Sequence, residues 1–156
     1  GDGSEFAVNE LAADGVVFDA NITINNNRIV QTNDNPVGSE NKDPRDLIKA
    51  TFGEDGEGSI TTGTFTITNN TVTSAAGAGD AFNYESLSTS TSNIFKFKLE
   101  GNNFTAADDK DLKIIVPTGY LSISAPDGTT DFDAYLDSIN IEVEAEISGS
   151  PEVFRF

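Results

Sequence analysis

Residues 64–87 decide how this chain folds, and they read Thr-Phe-Thr-Ile-Thr-Asn-Asn-Thr-Val-Thr-Ser-Ala-Ala-Gly-Ala-Gly-Asp-Ala-Phe-Asn-Tyr-Glu-Ser-Leu. The stretch contains three short runs of β-forming residues, 64–68, 71–74 and 81–87. In the first run apolar residues alternate with threonine, which places Phe65 and Ile67 on one face of a strand. Asn69-Asn70 separates the first run from the second, and a turn of small residues precedes the third. We therefore expect a strand, a tight corner, a second strand, a wider turn and a third strand.

Similar period-2 alternation marks further strands along the chain. It predicts strands at 21–25, 93–100, 112–116, 120–125, 138–147 and 153–156. The run 138–147 has the longest regular alternation, and residues 7–13 read instead as a weakly helical lead-in. Residues 44–52 fit either a short helix capped by Asp43 or a strand that begins near Asp46, and the repeat described next favours the strand.

An aspartate followed by a small or apolar residue and then a β-former recurs at Asp14, Asp46, Asp80 and Asp111, at steps of 32, 34 and 31 residues. Between these marks the order is a strand, an Asn-Asn corner and a second strand, with corners at Asn26-Asn27, Asn69-Asn70 and Asn102-Asn103. Repeats of this length that cannot bury their own apolar face are typical of solenoids.

Asparagine suits a tight corner because its short amide tolerates the left-handed backbone conformation better than other residues with a Cβ. We expect Asn70 to be such a strained residue. Stacked asparagine side chains also form hydrogen-bonded ladders between parallel strands.

The runs 22–29, 65–72 and 79–82 resemble the repeats of right-handed parallel β-helix proteins, the pectate-lyase-like superfold, and especially its long repetitive bacterial surface members. The resemblance covers about residues 14–125 and implies about four coils. Families of this fold include polysaccharide lyases and hydrolases, phage tailspikes and adhesins, so the fold does not decide the function.

The domain organisation that we expect is one β domain over residues 7–156, preceded by a cloning remnant at 1–6. Residues 126–156 fit no repeat, and we expect them to supply a capping strand that blocks edge-to-edge growth. The alternative architecture is an antiparallel β-sandwich in which the Asn-Asn pairs form hairpin turns.

Composition excludes several classes of function. The chain has 26 acidic and 9 basic residues, and this charge of −17 repels nucleic acid and anionic membranes. It contains no cysteine and no histidine, which removes thiol chemistry and the commonest general base. No apolar run approaches the ~20 residues that span a bilayer. We expect a soluble piece of a secreted or cell-surface protein, without membrane insertion.

Closely spaced carboxylates are the only candidates for a metal site. Asp108, Asp109 and Asp111 lie in one short corner, where carboxylate and turn carbonyl oxygens suit Ca²⁺. A second group contains Asp127, Asp131 and Asp133. Neither group has the spacing of an EF-hand loop, so the alternative is that they are solvated turn aspartates.

The sequence favours a non-catalytic structural or adhesive role, with glycans or other copies of a surface protein as partners. Thr23, Thr64, Thr66, Thr68, Lys96 and Lys98 would line one outer face, although high β-propensity alone explains threonine at such positions. The alternatives are a polysaccharide-active β-helix enzyme and a β-sandwich module that binds carbohydrate or calcium. Arg28 is the best placed arginine for catalysis, but the repeat puts Thr71 and Phe104 beside it rather than acids.

Overall fold

A computed structural model describes residues 6–10, 17–30, 47–52, 60–74, 80–86, 90–106, 111–116, 118–140, 145–148 and 151–154. In chain order the elements are β1 (Phe6–Glu10), β2 (Val17–Asn25), β3 (Arg28–Val30), β4 (Ile48–Phe52), β5 (Ile60–Thr68), β6 (Thr71–Thr73), β7 (Phe82–Ser86), β8 (Ile94–Glu100), β9 (Asn103–Thr105), β10 (Leu112–Ile115), β11 (Tyr120–Ser124), α1 (Phe132–Ile139), β12 (Ala145–Ser148) and β13 (Pro151–Phe154).

The strands form three sheets. Sheet A has the order β1-β4-β7-β10-β12, sheet B has the order β13-β11-β8-β5-β2, and sheet C has the order β3-β6-β9. The chain visits sheets A, B and C in turn three times and then, in the described residues, passes through sheets A and B twice more; we call each such passage a round. All ten pairings between described strands are parallel. The predicted all-β parallel architecture is confirmed, and the antiparallel sandwich is wrong for this part of the chain.

The interior is built from columns of apolar side chains that stack from round to round. One column in sheet B follows the strand register through all five strands: Ile22, Phe65, Phe97, Ile123 and Val153. The rings of Phe65 and Phe97 are stacked with centroids 4.7 Å apart, and both side chains are fully buried. Tyr84 of sheet A meets Phe97 edge-on at 4.8 Å, which joins the two sheets across the core.

A ladder of asparagines runs through the corner between sheets B and C. Asn27, Asn70, Asn102 and Asn140 occupy successive positions, and three of them are almost fully buried: Asn70, Asn102 and Asn140. The backbone N–H and the side-chain amide of Asn70 both donate to Oδ1 of Asn102, each at 3.0 Å. Asn27 donates to Asn70 in the same way, and Asn102 donates to Asn140. The second amide hydrogen of Asn70 bonds the carbonyl oxygen of Ile24 at 2.9 Å.

The ladder corrects two predictions about the corners. The left-handed residue is the one before the ladder: Asn26 has φ 58°, Asn69 has φ 56° and Gly101 has φ 66°. Asn70 is therefore a hydrogen-bonding residue, not the strained one. The third corner is Gly101-Asn102 rather than Asn102-Asn103, because Asn103 already pairs with Thr71 in sheet C.

Glycine stands at the left-handed position of the third corner, where φ is 66°. The left-handed backbone favours glycine. A Cβ on Gly101 would lie 2.7 Å from Oδ1 of Asn69, but that atom is the end of an exposed side chain that can turn away. The pair Asn102-Asn103 therefore begins one residue later in its corner than the other two Asn-Asn pairs do.

The strand predictions are confirmed in most places. Residues 48–52 form β4 rather than a helix, and β5 and β8 bury alternate residues as the pattern predicts. The helical lead-in predicted at 7–13 is wrong for residues 7–10, because β1 pairs with β4 in parallel and so belongs to sheet A, while residues 11–13 lie outside the described residues. The pattern within one segment does not reveal which strand it pairs with. Here the pairing with β4 makes a weakly patterned segment extended.

The aspartate marks do not define equivalent positions. Asp14 and Asp46 lie outside the described residues, but Asp14 precedes β2 in sheet B whereas Asp46 precedes β4 in sheet A. Asp80 and Asp111 are also out of register by one residue, since Phe82 pairs with Leu112. The ladder gives the actual spacing of the rounds, which is 43, 32 and 38 residues.

The predicted strand at 138–147 is wrong for residues 138–140, which belong to α1 and its C-cap, and is confirmed for residues 145–147; residues 141–144 lie outside the described residues. Asp131 caps this helix by accepting a hydrogen bond from the backbone N–H of Ala134 at 3.0 Å. Phe132 and Leu136, one turn apart, face the interior. Ala145–Ser148 is a strand, and it extends sheet A beside β10. That residues 126–156 form a cap stays a prediction.

Substitutions at the second corner separate the ladder from backbone strain. Asn70→Ala removes bonds to three buried or half-buried groups, so we expect it to lower the free energy of unfolding by about 2–4 kcal/mol. Asn69→Ala should cost about 1 kcal/mol through its positive φ, and Asn69→Gly should be nearly neutral. Chemical denaturation of each variant measures these differences.

Asn70→Gly is the matched control for the corner. It should destabilise at least as much as Asn70→Ala, because glycine cannot replace the amide. If glycine were tolerated at position 70 and not at position 69, the assignment of the two roles would be reversed.

Candidate binding surface

The outward face of sheet B is a regular surface formed by five parallel strands. The strand register aligns its side chains into rows that cross the sheet, one of which is Asn21, Thr64, Lys96, Ser122 and Glu152. Neighbouring strands lie ~4.8 Å apart, and outward residues on one strand recur every ~6.6 Å. The face is therefore a grid of polar side chains at nearly constant spacing.

Threonine dominates the centre of this grid. On β5 the half-exposed outward residues are Thr62, Thr64, Thr66 and Thr68. Thr66 lies beside Thr23 of β2 on one side and Lys98 of β8 on the other. The predicted outer face of Thr23, Thr64, Thr66, Thr68, Lys96 and Lys98 is therefore one continuous surface.

An apolar patch lies at the start of β8 and β11. Tyr120 is 61 % exposed and pairs with Ile94, which is 37 % exposed. The ammonium group of Lys96 lies 6.0 Å from the ring centroid of Phe154, at the edge of the same face. An exposed ring flanked by hydroxyl and ammonium groups offers both stacking and hydrogen bonds to a flat polar ligand.

Two of the glutamates that the sequence sets against these lysines, Glu142 and Glu144, lie outside the described residues, so that offset stays a prediction. Lys98 forms an exposed ion pair with Glu100 on its own strand, at 3.7 Å. Lys96 has Thr64 and Ser122 as its register neighbours. Exposed pairs of this kind contribute little to stability.

The structure brings only part of the predicted metal cluster into view. Asp108 and Asp109 lie outside the described residues. Asp111 is nearly buried, and its Oδ1 accepts a hydrogen bond from the backbone N–H of Ala106 at 2.5 Å. One oxygen of this carboxylate thus holds the corner, and Ca²⁺ binding by the cluster stays a prediction.

The second acidic group has structural partners. Asp131 caps α1, and Oδ1 of Asp133 accepts a hydrogen bond from the backbone N–H of Ile147 at 3.1 Å. Among the described residues, no group of three or more carboxylates is arranged to hold a metal ion. Within the same residues, no helix is long and apolar enough to cross a bilayer.

Two groups on α1 have shifted acidities. Partial burial raises the pKa of Asp133, the Ile147 N–H opposes this shift, and the carboxylates of Asp131, Asp137 and Glu146 raise the pKa further. Burial also raises the pKa of Tyr135, and the charge of Glu100 adds to the effect. Asp133 is therefore held in an environment that disfavours its charged form.

Arg28 has no acidic neighbour in its sheet. It is exposed on β3, where its register neighbour is Thr71, and the next residue in that row is Asn103 rather than the predicted Phe104. A lyase-type site would need carboxylates close to such a base. Sheet C provides none beside Arg28 in this row.

No protein family model, curated protein or solved structure matches this chain.

Sequence reasoning missed the Tyr120–Ile94 patch and the role of α1. Ile94 gave a weak signal, because it is an apolar residue in the outward phase of a strand whose inward residues are Phe95, Phe97 and Leu99. That Tyr120 lies beside it follows only from the register between β8 and β11.

Neutralising Asp133 should stabilise the protein at neutral pH. A carboxyl group whose pKa is raised by folding stabilises the fold below its unfolded pKa of about 3.9, and this contribution is lost as the pH rises through the folded pKa. Asp133→Asn keeps an oxygen for the Ile147 N–H and removes the charge. We expect a higher melting temperature than the wild type at pH 7 and little difference at pH 3.

Glu152→Gln is the control for this prediction. Its side chain is exposed on β13, so the same change of charge should leave the melting temperature nearly unchanged. An Asp133→Asn protein that melts below the wild type at pH 7 would contradict the prediction.

Proposed function

We propose that the chain is a segment of a right-handed parallel β-helix that works as a non-catalytic structural or adhesive part of a secreted or cell-surface protein. Its contact surface is the outward face of sheet B, and its ligand class is a neutral polysaccharide. The observation that carries the proposal is the row-by-row alignment of Thr23, Thr66 and Lys98 across parallel strands.

The β-helix part of the proposal is supported by the repeated order of sheets A, B and C. It is supported also by side-chain columns and by the asparagine ladder, which continue through successive rounds in constant register. An elongated stack of this kind presents a rigid surface, because each strand is hydrogen-bonded to the next and buried on its inner face. Rigidity lowers the entropy that is lost when an extended ligand binds.

The chemistry of the face favours a neutral polysaccharide. Hydroxyl and amide side chains exchange hydrogen bonds with sugar hydroxyls, and the exposed ring of Tyr120 supplies a stacking surface. The net charge of −17 repels acidic polymers at long range. On the described face Lys96 has Thr64 and Ser122 as its register neighbours, and Lys98 forms an exposed ion pair with Glu100. Hydrogen-bonding groups of this kind favour binding of a polar ligand.

Removal of the patch should weaken binding to insoluble neutral polysaccharides. We expect Tyr120→Ala to raise the dissociation constant about tenfold, the equivalent of about 1.4 kcal/mol and the order of one aromatic contact. Depletion of the protein from solution by a panel of such polysaccharides measures this change. The double variant Thr64→Ala/Thr66→Ala should weaken binding further.

Thr73→Ala is the matched control, because Thr73 is a half-exposed threonine in sheet C. Its affinity should equal that of the wild type. Equal loss of binding in Thr73→Ala and Thr64→Ala/Thr66→Ala would exclude sheet B as the contact surface. Release of new reducing ends or unsaturated sugars from the panel would instead identify an enzyme.

A further inference from the structure

The last strand of sheet A is covered along its outer edge by α1. The backbone N–H of Val116 donates to the carbonyl oxygen of Ser148, so alternate residues of β12 point their amides towards β10. The amides of Ala145 and Ile147 point the other way, to the outer edge of the sheet. Their N–H groups donate to Oδ1 of Asp137 at 3.0 Å and Oδ1 of Asp133 at 3.1 Å. Two aspartates one helical turn apart thus occupy the donors that a further strand would use.

The same helix ends the asparagine ladder. In each inner position the backbone N–H and side-chain amide donate to Oδ1 of the next asparagine. At Asn140 both groups instead donate to the carbonyl oxygen of Leu136, at 3.1 and 2.8 Å. The carbonyl oxygen at the end of α1 therefore stands in the place of the next ladder oxygen.

Sheet B is blocked at the same end by proline. The backbone N–H of Tyr120 donates to the carbonyl oxygen of Asn93, on the side of β8. The backbone groups of the next residue, Leu121, therefore point towards β13. The register partner of Leu121 is Pro151, and the backbone groups of Pro151 point away from β11. Proline has no N–H at this position, and edge prolines of this kind discourage further pairing.

The opposite end of the stack has none of these features in the described residues. Asn26 donates to the carbonyl oxygen of Thr68, so Thr23 and its alternate neighbours in β2 point their N–H groups away from β5, where no described strand lies. Within the described part of the chain, Oδ1 of Asn27 accepts no hydrogen bond, although the equivalent atom of every later ladder residue accepts two. A cavity of about 320 Å³ lies here, lined by Thr23, Ile24, Asn27, Arg28 and Ile29.

We propose that the two ends of this stack are complementary docking surfaces for a second copy of the chain, and that α1 prevents this head-to-tail stacking. A second copy fits these ends because the ladder is directional. Asn140 would present donors if α1 were displaced, and Asn27 of the next copy presents the matching acceptor. Parallel edges of sheets A and B are present at both ends, so the sheets would continue without reversal.

Such stacking is heterologous, and a heterologous contact that does not close gives filaments. Head-to-tail stacking of this chain would therefore continue without limit unless one end were blocked. Stacking of copies and polysaccharide binding are independent. Stacking uses the asparagine ladder and the edge of β12, whereas polysaccharide binding uses the outward side chains of sheet B.

The test removes the two edge acceptors. Asp133→Ala/Asp137→Ala should form concentration-dependent oligomers at pH 7.5 and 150 mM salt (about physiological ionic strength), with a weight-average mass at least double that of the wild type by light scattering. Addition of Pro151→Ala should increase the mass further. Thr23→Pro, placed in the double variant, removes a donor at the open edge of β2 and should restore the monomer.

Asp133→Asn/Asp137→Asn is the matched control, since it makes the same change in charge and keeps an acceptor oxygen at each site. It should remain monomeric. Circular dichroism melting confirms that each variant is folded, and the single variants Asp133→Ala and Asp137→Ala serve if the double variant is not. Folded alanine variants that stay monomeric, or oligomers that Thr23→Pro does not reduce, would overturn the proposal, while loss of polysaccharide binding would not affect it.

Discussion

The hydrogen-bonded column of asparagines is the constraint on which the rest of the structure depends. A buried amide that lacks partners costs about 1–3 kcal/mol, so each ladder residue fixes the position of the next one. Asn70 can satisfy its side chain only when Asn102 lies directly behind it and the carbonyl oxygen of Ile24 lies in front. This requirement sets the register of sheets B and C together, whatever the length of the chain between corners.

Constant register has consequences on both faces of sheet B. On the inside it brings like residues together, as in the stacked rings of Phe65 and Phe97. On the outside it converts an ordinary preference of exposed strands for threonine into an ordered grid. The proposed binding surface is therefore a by-product of the same alignment that packs the core, and its spacing is as rigid as the sheet.

Much of this arrangement was predictable from single residues. The alternation around Phe65 and Phe97 located the strands and their buried faces. The recurrence of Asn-Asn located the first two corners and placed the third one residue too late. The identity of the left-handed residue was not predictable, because Asn69 and Asn70 have the same side chain and differ only in what surrounds them. The helix at Phe132–Ile139 was missed because Ile139 also begins the period-2 pattern of 138–147, whereas the capping aspartate and the pair Phe132 and Leu136 carried the competing helical signal.

The sequence by itself determined the all-β character, the apolar columns and the polar outer face, because these follow from the period of side-chain direction along a strand. Only the tertiary structure decided the lengths of the rounds, since loops of very different length close at small additional cost in entropy. It also decided the difference between the two ends of the stack. Asp133 and Asp137 act there on the edge of β12, and the residues that they contact become edge donors only when β12 is paired with β10.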